Sequence, residues 1–153
     1  MIKSPLNKPQ VYEENYQYLV KEHFFDTLRE VFIVSTIIGF NNDIKIPFTK
    51  SGGDPIKEHL FSADDKNIMD CIALYSTQDT SILLNEKSKE EAKLIEEFAH
   101  GGIQYISEHL FNGKTVLTTD DIIDFVLQFD PSSVDKKKID LTELLKNSLS
   151  DLD

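Results

Sequence analysis

The chain lacks most of what would anchor it to a membrane, staple it covalently or attract it to nucleic acid. It has a single cysteine, Cys71, so no disulfide can form within the chain, and a lone thiol suits a reducing compartment. No signal peptide opens it: Met1 to Gln10 carries Pro5 and Pro9 and has no apolar core. The longest apolar stretch, Val31 to Phe40, is interrupted by Ser35-Thr36 and is too short to cross a bilayer. A cytoplasmic protein with no membrane partner is the expectation. Positive charge is also scarce, with 16 Lys+Arg against 27 Asp+Glu and a formal net charge of -11. Nucleic-acid binding draws on Lys and Arg that displace counterions, and the longest basic run here is Lys136-Lys137-Lys138. Direct DNA binding is therefore disfavoured, whereas an acidic chain can occupy a basic surface, including the DNA groove of another protein.

What is present fits a domain of ordinary size. The chain has 153 residues, 40% hydrophobic and 28% charged, which argues against wholesale disorder. Residues 1–10 read as a loose, flexible N-terminal arm. Tyr12, Tyr16, Leu19, Val20 and Phe24 follow helical spacing, and the pattern runs on through Leu28, Val31 and Phe32 to Ile38 without a turn signal. The β-branched run Val31 to Ile38 would also suit a buried strand, but the helical period leading into it favours a central helix that stops at Gly39. Residues 40–60 read as a polar loop. Ser62-Ala63-Asp64-Asp65 starts a capped helix to about Thr77, and Ser88-Lys89-Glu90-Glu91 another toward Phe111, ended by Asn112-Gly113. Thr118-Thr119-Asp120-Asp121 opens a further helix with Ile122, Phe125, Val126 and Phe129 facing inward, stopped at Asp130-Pro131. There is no convincing hairpin and no repeat. The expected fold is all-α: a single domain, an irregular bundle of about five or six helices, with a core over 1–131. Residues 132–153 read as a linker followed by a short amphipathic helix.

No residue pattern carries a catalytic signature. His23, His59, His100 and His109 form no HExxH or other metal spacing. Glu97 and His100 share a helix face, as in a di-iron half-site, but the second copy is missing, so His100 reads as a surface histidine near a helix bend. The carboxylates Asp64-Asp65, Glu90-Glu91 and Asp120-Asp121 are what a helix N-terminus favours. Cys71 sits on the Ile68–Ile72 face and reads as a small buried hydrophobe. Catalytic, cofactor and metal residues are accordingly expected to be none. Two features point to partner binding instead. Gly101-Gly102 would cost a helix roughly 2 kcal/mol against alanines, so something packs closely there: another helix of this chain, or a partner's. Leu141, Leu144, Leu145 and Leu149 form an amphipathic face on a tether, which either docks on a partner or folds back on its own core.

The helix Val31-Phe32-Ile33-Val34 ending in Gly39-Phe40, the connector Ile82-Leu83-Leu84, and Glu96-Glu97-Phe98-Ala99-His100-Gly101-Gly102-Ile103 together resemble the DNA-phosphorothioation-associated protein 4 family, also called Dnd system-associated protein 4. The resemblance covers roughly Phe24 to Phe111. In the family's pattern the residue before the two glycines is usually Asn, whereas here it is His100. The resemblance implies a prokaryotic defence setting alongside machinery that places sulfur in the DNA backbone or restricts unmodified DNA, and it supplies no catalytic residues. The leading expectation is a non-catalytic accessory subunit that binds larger proteins of such an antiphage or restriction-modification system. Two alternatives stand beside it: an acidic regulator that occupies a basic DNA-binding surface of a partner, and a small metal-dependent hydrolase built from Asp and His.

Overall fold

The computed structural model describes residues 1–129. The described residues form five α-helices joined by short 3-10 turns, with two isolated β-bridges and no strand among them. The all-α expectation holds. The helices are α1 (Glu13–Lys21), α2 (Leu28–Asn41), α3 (Ala63–Thr77), α4 (Ser88–Ile106) and α5 (Thr119–Leu127). The chain divides into two compact units, Met1–Gly113 and Lys114–Asp153.

The first unit is built on α2 and α4, which share the most extensive helix–helix interface. The β-branched run of α2 is helical because it is enclosed: Val31, Phe32, Ile33, Ser35, Thr36, Ile38 and Gly39 are all buried. Burial overrides the modest helix propensity of such residues. The Thr36 hydroxyl donates to the Phe32 carbonyl at 2.8 Å, which removes the cost of enclosing it.

Four local readings of the sequence need correcting. First, the helix does not run unbroken from Val11 to Gly39. His23, at φ 61°, turns the chain between α1 and α2. Thr27 then caps α2, its hydroxyl accepting from the Glu30 N–H at 3.3 Å while the Glu30 carboxylate takes the Asp26 N–H at 2.9 Å. Second, α2 does not stop at Gly39 but continues to Asn41, because Gly39 is where α4 comes closest. Third, Ser88 does not cap α4. It lies inside the helix, buried, and its hydroxyl accepts from the Lys3 N–H at 2.7 Å.

Fourth, residues 1–10 are not a loose arm. Ile2, Leu6, Lys8 and Pro9 are buried. The backbone pairs with residues 50–56 through Leu6–Ile56 and Pro9–Ser51 bridges, and the Gln10 N–H donates to the Lys50 carbonyl at 3.0 Å. Lys8 is the unusual member. Its ammonium is enclosed, donating to the Asp54 carbonyl at 2.9 Å and lying 3.6 Å from Glu13, over the Tyr16 ring. A buried ammonium is tolerable only when its donors are met in this way. The 42–57 segment is equally tied down, with Ile44 N–H bonded to the Gly39 carbonyl and Ile46 N–H to the Glu97 carbonyl.

The capping box at Ser62 is present. Its hydroxyl accepts from Asp65 N–H at 3.1 Å, and the Asp65 carboxylate returns the bond to Ser62 N–H at 2.9 Å. Asp65 also meets the Arg29 guanidinium, tying the start of α3 to α2. Burial acts to raise the Asp65 carboxyl, but the Ser62 bonds and Arg29 outweigh it and hold the group below its usual range. At its far end α4 widens into a π turn, Ser107–Phe111, closed by Asn112 at φ 47°.

In the second unit, Thr118 forms the expected capping box with Asp121, and Lys114 pairs with the same carboxylate at 2.6 Å. Phe125 is buried and Ile122 half-buried, but Val126 is 59% exposed rather than inward. The expected stop at Asp130-Pro131 and the segment 132–153 lie outside the described residues.

Candidate functional site

The segment Glu96 to Ile103 organises the first unit. Glu96 accepts both the backbone and side-chain N–H of Asn7, at 2.7 and 3.0 Å, and so fastens the arm. The Glu97 carbonyl holds Ile46, and Phe98 meets the edge of Phe40 at 5.7 Å. A Cβ on Gly101 would fall on the carbonyl of Ile44, and one on Gly102 on the carbonyl of Ser35. Gly39 is the reciprocal case, its missing Cβ leaving room for the Phe98 carbonyl. The space above Gly101 and Gly102 is thus filled from within the chain, by the loop and by α2. Both glycines are buried, and of the two readings of their close packing the structure shows the chain's own segments there, the Ile44 loop at Gly101 and α2 at Gly102.

His100 is not a surface histidine. It is 9% exposed and packed between the edges of Tyr12 and Phe48, at 5.7 and 5.4 Å between ring centroids. Its Nδ1 lies 3.0 Å from the Ile46 carbonyl. A carbonyl can only accept, so Nδ1 carries the proton and, in the neutral ring, Nε2 carries the lone pair. Burial pushes the imidazole pKa down, against the Ile46 bond, which keeps the ring neutral near pH 7. The position needs a donor toward Ile46, and the side-chain amide of Asn would supply one too. Beside His100 an open groove of about 360 Å³ runs between residues 9–11 and 48–50. Burial, and after it the charge of Glu108, raises the Tyr12 hydroxyl above its ordinary value.

A second open cavity, of about 450 Å³, lies on α3 and is lined by Cys71, Leu74, Tyr75, Gln78 and Thr80. Cys71 is exposed, correcting the buried reading, because the inward face of α3 is Met69, Ile72 and Ala73. Tyr75 is 62% exposed and meets Phe40 edge-on, so an aromatic chain leads from this surface through Phe40 to Phe98.

Among the described residues Glu91 is the most deeply buried carboxylate. It is fully enclosed, with the Met1 ammonium 3.1 Å away. Burial raises its pKa to about 7, with Asp70 adding to the effect and the ammonium opposing it. Among the described residues, no three His, Cys, Asp or Glu side chains gather as a metal-ligand set. Nor is any helix among them long and apolar enough to cross a membrane.

A family model for DNA sulphur modification system-associated protein 4 matches residues 2–144. The chain belongs to that family. Comparison with curated proteins and with solved structures gave no match. Family membership associates the chain with a DNA sulphur modification system, and the all-α architecture is the fold this member adopts. Glu96 to Ile103, one of the segments that carry the resemblance, holds arm, loop and α2 together. Leu141, Leu144, Leu145 and Leu149, the other residues assigned to partner binding, lie outside the described residues. The His100 groove and the α3 cavity were not legible in sequence. The groove draws its walls from residues 9–11, 48–50 and 100, far apart in the chain, whereas the α3 cavity is lined by residues 71–80, whose pattern reads as one face of a helix.

Proposed function

We propose that this chain is a non-catalytic accessory subunit that docks onto larger proteins of its DNA sulphur modification system or of a linked restriction system. Membership of the family over residues 2–144 carries the reading. The surface supports it: Leu74 and Tyr75 on α3, and Val116, Ile123, Val126 and Leu127 in the second unit, are large apolar side chains left exposed. The segment 132–153 is proposed as a tethered docking helix, and truncation after Pro131 should keep folding while weakening partner recovery. The overall test is purification of a tagged copy from its native host at low and high salt, with mass spectrometry of what accompanies it. Stoichiometric recovery of a nuclease, an ATPase or a sulfur-transfer protein is expected. Recovery of the chain alone at both salts refutes the reading.

The net charge of -11 favours a second version, in which the chain shields a basic DNA-binding surface of its partner. That version requires the complex to dissociate as salt rises and to compete with DNA. Salt-insensitive binding refutes it.

A further inference from the structure

The groove beside His100 differs in charge from the rest of the chain. The paired segments that frame it, residues 1–11 and 42–57, carry five lysines and only two aspartates, in a chain where acids outnumber bases 27 to 16. Lys8 is buried and engaged, but Lys50 is exposed on the groove wall and has no ion-pair partner among the described residues. Val11, on the same wall, is 71% exposed, and Phe48 is half-buried. The geometry fixes the proton of His100 on Nδ1, so Nε2 is a hydrogen-bond acceptor. No group among the described residues donates to it, and it is not among the polar atoms sealed from solvent without a partner. One cation, one neutral acceptor and an apolar wall therefore line the same trough.

We propose that this groove binds an extended, acidic peptide segment of a partner protein. The segment places a carboxylate on Lys50, an apolar side chain against Val11 and Phe48, and an N–H or O–H donor on His100 Nε2. The proposal rests on the accessory-subunit reading and names a surface for it. A peptide suits the site better than nucleic acid, because one exposed lysine in the groove offers no track for successive phosphates but can meet a single carboxylate. The trough is open and runs between residues 9–11, which enter the 3-10 turn Gln10–Tyr12, and residues 48–50, so a chain laid along it meets both walls.

The test uses the full-length protein and a displayed library of short random peptides. Selected sequences should combine acidic and apolar residues. A synthetic copy should shift the His100 side-chain nitrogen signals and bind about tenfold more weakly to Val11→Asp and to Lys50→Glu, as loss of a central contact does. Both positions are exposed, so the variants should keep the wild-type circular dichroism and melting temperature. Lys57→Glu, on the same lysine-bearing loop but outside the groove, should bind as wild type does. The proposal is overturned if no sequence is enriched, if Val11→Asp and Lys50→Glu bind normally, if Lys57→Glu is equally impaired, or if a DNA oligonucleotide moves the His100 signals where peptides do not. The two readings separate cleanly. A host partner recovered equally by wild type and by the Val11→Asp/Lys50→Glu double variant keeps the accessory reading and removes the groove. Specific peptide binding by a protein that brings nothing from its host does the reverse.

Discussion

The α2–α4 crossing makes a demanding prediction. Gly39 and Gly102 face each other so closely that a Cβ on Gly102 would overlap the Ser35 carbonyl, and one on Gly39 the Phe98 carbonyl. Backbone carbonyls cannot rotate away, so either alanine must push the helices apart. Overpacking of this kind costs about 3 kcal/mol at the upper end of its usual range. Each glycine lies inside a helix, where alanine returns about 1 kcal/mol. Gly39→Ala and Gly102→Ala should each therefore lose about 2 kcal/mol, a fall in melting temperature of about 4–8 °C for a chain this long. Once one substitution has separated the helices, the second meets less resistance. The double variant should lose about 1 kcal/mol less than the two singles together, where distant sites would add. Urea unfolding followed by circular dichroism measures all four corners of the cycle. A Gly102→Ala variant as stable as wild type, or strict additivity in the double variant, would refute the reciprocal crossing.

Other outcomes follow from single groups. Ser62→Ala removes one half of the α3 capping box and should cost about 1 kcal/mol in urea unfolding. The Glu91 carboxyl, raised from 4.5 to about 7 by burial, binds its proton more tightly folded than unfolded, so its contribution to stability should fall as pH rises from about 4.5 through about 7. His100 has the opposite sign: its pKa is depressed by burial, so its contribution is present above about 6.5 and lost as pH falls. Urea midpoints of wild type and Glu91→Gln across this range separate the two, since Glu91→Gln should abolish the decline due to Glu91 and keep the loss on the acid side. Exposed Cys71 should react with a thiol reagent in the native protein as fast as in denaturant. Strong protection would place it inside the core after all.

The sequence revealed most where the physics is local. The boxes at Ser62 and Thr118 are read within four residues, and both are present. It misled where a residue's role is set by a distant segment. Ser88 looks like a cap but is claimed by the backbone of Lys3, 85 residues away. Gly39 looks like a helix stop but is a clearance for Phe98. Residues 1–10, with two prolines and little apolar periodicity, look unattached, yet Leu6 and Lys8 find partners at Ile56 and Asp54 that no local pattern announces. The Thr27–Glu30 start of α2 was legible in principle. It was hidden by the apolar periodicity that runs across the His23 turn, where neither glycine nor proline marks the break.

The same distinction bears on where function lies. Every residue from Glu96 to Ile103 has its side chain or backbone committed to holding the arm, the 42–57 loop or α2, or is buried between them. A stretch so fully engaged answers first to the fold, and the side-chain polar atoms it leaves without a partner among the described residues are Glu96 Oε2, the Glu97 carboxylate and His100 Nε2. The segment therefore serves architecture first, and what it can offer to recognition is confined to those few groups, the His100 ring beside the groove among them. Substitutions at the other positions should change stability first and binding only as a consequence. Substitutions at Val11 and Lys50, which the fold does not need, should change binding alone.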